Sequence, residues 1–457
     1  MEALPVVIAI ILLFFLLLGG IPVAIALGAT GIAGLILMGG FELASSVIGG
    51  TTYSSVGRAN LVVVPMFILM GMLTLHSGIA QQLFALASRA LKKLPGGLAV
   101  STIFASAGFG AVTGSSLASV GTLGRTAITE MIRHGYTKTF ASAAVAVSGS
   151  LAVLIPPSII LVLYGTMTNE SVGELLMAGI IPGILSAVML AGFAILMAKR
   201  KPALISVGGT DQSPETGRKR LAEAGIPDDG GIDLSPASAV RAILALALIF
   251  TIVIGGIYSG FFTPSESAAI GAVVALLLIV TQYMKTPRKL LHNLSLALRE
   301  TVSLNSSIFL ILVGAGIFSY FLVTAGVPTA LSNFVVDLPV PPEVVVIMLL
   351  LVLIPGGMFL DSISLLVITV PLVYQPITDL GFDGLWLGIL IVKLIELGMI
   401  TPPIGLNAFV TAGTTPGLHV DQVFRGTFPY YIADFVIIAV IFMFPEIVTF
   451  LPEMSAA

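Results

Sequence analysis

Long apolar blocks dominate the chain, broken by glycine, proline or charge rather than by regular alternation. They cover 5–19, 20–40, 60–84, 139–167, 175–198, 239–259, 263–284, 303–324, 384–413 and 428–451. A helix needs roughly 20 apolar residues to cross a bilayer, so these blocks predict about ten spans. Two further stretches, 98–132 and 343–380, carry small polar residues in their middle. Each is too long for one span and too broken for two. Each is predicted to be a re-entrant hairpin, its non-helical tip shielded by protein or by a watery cavity. Segment 199–238 is the one hydrophilic stretch and is expected to be a flexible cytoplasmic linker. Segments 85–96 and 286–300 are short, amphipathic and basic, which predicts helices lying in the membrane interface.

Composition sharpens this into an all-α, polytopic membrane fold. Hydrophobic residues make up 57% of the 457 positions and charged residues 9%, against roughly 25% charged in soluble domains. The net charge of −3 comes with no basic, aromatic-interleaved patch, so no nucleic acid is expected. Cysteine is absent, which removes disulfides, thiolate nucleophiles and cysteine metal sites. The histidines His76, His134, His292 and His419 are scattered, which argues against an intramembrane zinc enzyme. Met1-Glu2-Ala3 lacks a basic signal-peptide start, so 5–19 is expected to stay as the first helix.

Charge sets the orientation. With the N-terminus periplasmic, every Lys and Arg except Arg58 and Lys393 falls in 85–97, 125–138, 199–241, 285–302 or 412–427. All of these segments are then cytoplasmic, as the positive-inside rule demands. Hairpin one would enter from the cytoplasm and hairpin two from the periplasm.

The second half restates the first. Pro156-Pro157 recurs as Pro402-Pro403, and Ser115-Ser116 falls opposite Asp361-Ser362 at the same separation. His76-Ser77-Gly78-Ile79 resembles Thr324-Ala325-Gly326-Val327, and Gly20-Ile21-Pro22 resembles Phe262-Thr263-Pro264. An odd number of full spans per copy turns the second copy upside down. The chain therefore divides into inverted repeats, 1–198 and 239–457, joined by the linker 199–238. The first repeat holds hairpin one and a broken helix over 139–167. The second holds hairpin two and a broken helix over 384–413. Paired, interrupted segments of this kind mark the binding site of a secondary transporter.

Candidate chemistry gathers at these breaks. Gly110, Thr113, Gly114 and Ser115 of hairpin one, facing Ile155 and Pro156, offer carbonyl and hydroxyl oxygens suited to a hard cation such as Na⁺. Proline ends the preceding half-helix and frees carbonyls at its negative end. Gly356, Gly357 and Asp361 of hairpin two, facing Gly398, Thr401 and Pro402, form a second such set. Asp361 adds a full charge at a cost of at least ~2.5 kcal/mol at membrane depth, and also suits a helix N-cap. An anionic substrate would sit between the tips, near Ser115, Ser116, Ser158, Ser362 and Asn407, with Arg125 able to meet a carboxylate bidentately. Arg125 equally suits the cytoplasmic foot of hairpin one. Lys393 and Glu396, three apart on one helix, are expected to pair with each other. Thr263, Pro264 and Glu266 read as a capping box. Gly314 and Gly316 are spaced too closely for the usual small-residue packing motif.

Several strings carry a resemblance to a known family. They are Gly114-Ser115-Ser116-Leu117-Ala118, Leu154-Ile155-Pro156-Pro157-Ser158, Phe261-Phe262-Thr263-Pro264-Ser265-Glu266, Gly357-Met358-Phe359-Leu360-Asp361 and Thr401-Pro402-Pro403-Ile404-Gly405-Leu406-Asn407. In these the chain resembles the large membrane (M) subunit of TRAP transporters, the tripartite ATP-independent periplasmic carriers. The linker looks longer than is usual there. The resemblance implies a bacterial inner-membrane symporter that takes up an organic acid, a dicarboxylate for example, with two or more Na⁺ ions and no organic cofactor. It implies an elevator motion of the hairpins and broken helices against a scaffold. It also implies two partners: a periplasmic substrate-binding protein and a small four-helix membrane subunit (Q), here a separate chain. The alternatives are a single-component Na⁺-coupled carboxylate carrier, an intramembrane enzyme, for which no catalytic constellation is visible, and a channel.

Overall fold

The computed structural model describes residues 3–91, 93–205, 214–227, 236–336 and 338–456. Every regular element among them is helical. Seven helices there are long and apolar enough to cross a membrane, or ten if each of three bent pairs counts as one span. Large apolar side chains cover the outside, among them Phe15, Leu18, Phe41 and Phe261, all more than two-thirds exposed. Such a continuous greasy surface is one that lipid solvates.

The N-terminal region departs from its expected layout. Helix Val23–Val56 is a single assignment of 34 residues but breaks at Gly39 and Gly40, the latter at φ +74 and ψ −174. That conformation is essentially reserved for glycine. Gly314 lies so close to Ala24 that a Cβ would come within 2.1 Å of the Ala24 carbonyl, and Gly316 stands equally close to Ser55 Oγ. Ala24 and Ser55 thus meet the same level of one helix, so the two arms fold back on each other. The expected span 20–40 is the first arm. Residues 41–56, expected to lie outside any span, form the second. Of the two glycines discounted on spacing, Gly314 meets backbone and Gly316 meets the Ser55 side chain.

Helix Pro287–Thr324 runs unbroken for 38 residues, about 57 Å at 1.5 Å per residue. It fuses the expected interface helix 286–300 with the span 303–324, because no Gly or Pro occurs from Arg288 to Val313. Span 60–84 ends early. At Gly78, φ +82, helix Val63–His76 gives way to Ile79–Leu91 at a bend of 63°. The long helix braces this elbow: Glu300 Oε2 lies 2.8 Å from the His76 ring, and Asn293 Nδ2 donates to the His76 carbonyl at 3.2 Å. The capping box at Thr263 and Glu266 is present.

The described part of the linker is ordered rather than slack. Helix Pro214–Glu223 is held at its end by Lys138 Nζ, which donates to the Ala224 and Gly417 carbonyls, each at 2.7 Å. Residues 206–213 and 228–235 of the expected linker lie outside the described residues.

The segments expected as hairpins and broken helices are each made of helices separated by a break. Hairpin one is Gly97–Thr113 and Ser116–Arg133. Hairpin two is Pro342–Leu351 with Leu353–Phe359, then Ser362–Asp379. The first broken helix runs through Lys138–Ser148 and Leu151–Leu154, and resumes as Ile159–Thr168. The second is Gly384–Met399 and Leu406–Thr414. Each break contains a cis Pro-Pro bond, Pro156-Pro157 and Pro402-Pro403. The two broken helices run in opposite directions. Tyr164, near the end of the first, donates to the Gly384 carbonyl at the start of the second at 2.7 Å. Lys138, at the start of the first, reaches Gly417, beyond the end of the second. The hairpins open at opposite ends of this pair. Hairpin one has its feet near Lys138, where Tyr136 accepts from Leu98 N. Hairpin two opens near Glu170, which accepts the Tyr374 hydroxyl at 2.6 Å.

Candidate functional site

The hairpin tips owe their shape to short polar residues and glycine. Gly114 ends the first arm at φ +61, so close to the break that a Cβ would lie 2.7 Å from the Pro157 carbonyl. Ser115 then caps the second arm, its Oγ accepting from Ala118 N at 3.4 Å. At the other tip Asp361 is the cap. Its Oδ2 accepts from Ile363 N at 3.1 Å and Ser364 N at 3.2 Å, and its Oδ1 accepts the Ser364 hydroxyl. Hairpin two is fastened to its break by Gly405 N, which donates to the Met358 carbonyl at 3.0 Å.

Both tips converge on one carboxylate, Glu396, which lies six residues before Pro402 and is fully buried. Ser116 of hairpin one donates to Glu396 Oε1 at 3.1 Å, and Ser362 of hairpin two donates to the same oxygen at 2.7 Å. Asn407, just past the second break, donates through Nδ2 to Oε2 at 3.3 Å. Asn407 Oδ1 is buried and has no hydrogen-bond partner among the described residues. Two hairpins and one broken helix thus share a single anionic centre.

Residues 10–447 match the family described as "Tripartite ATP-independent periplasmic transporter, DctM component". The chain is 31% identical, over 98% of its own length and 96% of the relative's, to the C4-dicarboxylate TRAP transporter large permease protein DctM of Vibrio cholerae. The chain belongs to the DctM family. The sialic acid TRAP transporter large permease protein SiaM of the same organism is 30% identical over 96% of both chains. The crystal structure of the Alcanivorax borkumensis YdaH transporter shares the fold, with a TM-score of 0.61 at 13% identity over 97% of this chain and 98% of that one. A DctM-family chain is the large permease subunit of a TRAP transporter: a multi-pass membrane protein of a bacterial family, and not an enzyme.

Within this DctM-family subunit the remaining expected site residues separate into groups. Ser116, Ser362 and Asn407 meet at Glu396. Ser158, fully buried, caps the second half of its broken helix through Leu161 N at 3.3 Å, as Ser115 does at its own tip. Thr113 and Thr401 bond back to their own helices, at Phe109 O (3.3 Å) and Leu397 O (2.6 Å). The glycines bring backbones together. A Cβ on Gly110 would lie 2.3 Å from Ala152 Cα, and Gly357 and Gly398 stand backbone to backbone. The carbonyls of Gly110, Gly356 and Gly398 accept from Gly114 N, Leu360 N and Thr401 N at 2.8, 3.1 and 2.9 Å. Ile155, in extended backbone, leads into Pro156 as Thr401 leads into Pro402. Arg125 is not brought to the tips. It is exposed, nine residues along from Ser116, about 13 Å at helical rise.

The expected Lys393–Glu396 pair does not form. Lys393 Nζ pairs instead with Asp434 of helix Tyr430–Met443, both partners buried. Positions three apart diverge by about 60° around a helix, and here that angle sends one side chain to a neighbouring span and the other to the hairpins. Glu396 is thus a site residue that the sequence reading treated as structural. Asp434 is the signal that finds it. An acid in the apolar stretch 428–451 needs a cation, Lys393 is the one lysine within a predicted span, and pairing them leaves Glu396 for the tips.

Proposed function

We propose that this subunit performs Na⁺-coupled uptake of an organic acid, with Glu396 as the charged centre of the site. The observation that carries this reading is the meeting of Ser116, Ser362 and Asn407 on one buried carboxylate. Hydroxyl, amide and carboxylate oxygens are the donors a hard cation prefers, and the partnerless Asn407 Oδ1 is an oxygen still to be satisfied. Binding of Na⁺ beside Glu396 neutralises the anion and lets a substrate carboxylate approach between the tips, where capped helix N-termini offer N–H groups. Coupling follows, because without the cation the substrate would meet a buried negative charge. In this reading two ion sets lie around the centre, the first at Gly110, Thr113, Gly114, Ser115, Ile155 and Pro156, the second at Gly356, Gly357, Asp361, Gly398, Thr401 and Pro402.

The opposed broken helices and opposed hairpins support reading 1–198 and 239–457 as inverted repeats. They also support an elevator motion, in which the hairpin unit moves against a scaffold that includes Val23–Val56 and Pro287–Thr324. The N-terminus is periplasmic in this reading. A periplasmic binding protein delivers the acid, and a small Q-type membrane subunit completes the scaffold. Family membership weighs against a single-component carrier.

The test is uptake of succinate and of N-acetylneuraminate into vesicles holding the permease with its membrane partner and binding protein. Replacing external Na⁺ by K⁺ should abolish uptake. Undiminished uptake in K⁺ would remove sodium from the mechanism, and uptake without the binding protein would return the single-component carrier.

A further inference from the structure

Arg58 is the cation that the charge asymmetry leaves alone on the far side of the membrane from the basic clusters. It also lines three adjoining cavities, of about 300, 460 and 650 Å³. Its Nη1 donates to the Thr166 carbonyl at 3.1 Å, tying the loop after Val23–Val56 to the end of the first broken helix. A guanidinium has five N–H donors, and this bond uses one. Among the described residues, the 300 Å³ cavity has no Asp or Glu in its lining. Ser55, Thr166, Ser319, Tyr374 and Gln375 give it polar atoms beside the guanidinium, and its remaining wall is mostly apolar. Glu170 lines the neighbouring 460 Å³ cavity and accepts the Tyr374 hydroxyl.

The cavity joins two bodies. Ser55 and Ser319 belong to the folded-back helix and the long helix and Arg58 to the loop that follows the former, whereas Thr166, Tyr374 and Gln375 belong to the broken helix and hairpin two. Along hairpin two, Val370–Gln375 stand nine to fourteen residues beyond Asp361, about 14–21 Å from the tip. An anion held here would be outside the Glu396 centre but on the same side of the molecule as the open end of hairpin two.

We propose that the Arg58 cavity is a receiving site for the carboxylate of an incoming organic acid, which Arg58 grips bidentately before the acid passes to the hairpin tips. This rests on the organic-acid reading above. Positive potential in an otherwise uncharged cleft concentrates anions at its mouth, and a planar fork of donors matches a carboxylate better than an ammonium does. The volume, at the lower end of small-molecule sites, fits a small acid.

The experiment measures uptake of succinate and of N-acetylneuraminate by the full assembly carrying wild-type, Arg58→Lys or Arg58→Gln permease. It also measures direct binding of the same acids to each purified permease without the binding protein. Whichever acid the wild type transports should need at least about tenfold more for half-maximal rate in Arg58→Gln. The maximal rate and thermal midpoint should be little changed, and Arg58→Lys should fall between. Direct binding should weaken in parallel. An unchanged half-saturating concentration overturns the proposal. So does a defect confined to the assembly with direct binding intact, which would make Arg58 a dock for the binding protein. A wild type that takes up neither acid overturns the organic-acid reading for these probes, and the direct-binding arm then judges Arg58 by itself.

Discussion

The two hairpin tips share an architecture and differ in charge. Tip one is Gly114-Ser115-Ser116, neutral, shaped by a left-handed glycine pressed against Pro157. Tip two is Leu360-Asp361-Ser362, acidic, fastened by Gly405 to the break it faces. The broken helices differ in the same sense. The position that matches Glu396, six residues before the first Pro-Pro, is Ser150, whose hydroxyl merely bonds back to Val147 at 2.9 Å. Two similarly built hairpin and broken-helix pairs therefore differ in charge. One carboxylate from the second half serves hydroxyls from both.

That asymmetry can be broken most severely at its centre. Glu396→Gln should cut Na⁺-driven uptake about a hundredfold or more, since ligand charge count sets cation affinity, whereas Ser150→Ala should stay within about twofold. Equal effects of the two, measured in the same vesicles, would make the halves equivalent. Next in size is the buried pair that frees Glu396 for the tips. Lys393→Ala leaves Asp434 unpaired and should cost about 3–5 kcal/mol of stability, much of it recovered when Asp434→Leu is combined with Lys393→Met. Thermal unfolding in detergent reads this out, and an unshifted midpoint in Lys393→Ala would deny the pair its role. The smallest effect is expected at tip two. Asparagine caps as well as aspartate, so Asp361→Asn should keep the fold while raising the Na⁺ needed for half-maximal uptake several-fold, about 1 kcal/mol. A sodium titration that overlays the wild type would leave Asp361 as a cap alone.

Much of this was legible in the sequence. Pro156-Pro157 and Pro402-Pro403 announce backbone breaks because proline cannot continue a helix, and Asp361 and Thr263 announce caps; local chemistry decides both. The residues misjudged depend on distant partners. Glu396 looked satisfied by its neighbour Lys393 until Asp434, on another helix, claimed the lysine. Gly39 and Gly40 close the expected span 20–40, and only packing against Pro287–Thr324 turns that end into a reversal. The interface helix expected over 286–300 failed for a related reason. Its polarity was read correctly, but nothing in it stops the helix from continuing into the apolar segment that follows.

Lys138 has a practical consequence. A single ammonium clasps the Ala224 carbonyl of the hydrophilic segment and the Gly417 carbonyl beyond the second broken helix, so that segment is moored to the same body as the hairpins. A dye on nearby Glu223, which faces outward, would ride with the hairpin body. Its distance to a second label on Pro287–Thr324 would report the elevator motion proposed above from outside the bilayer, without a probe in the pathway.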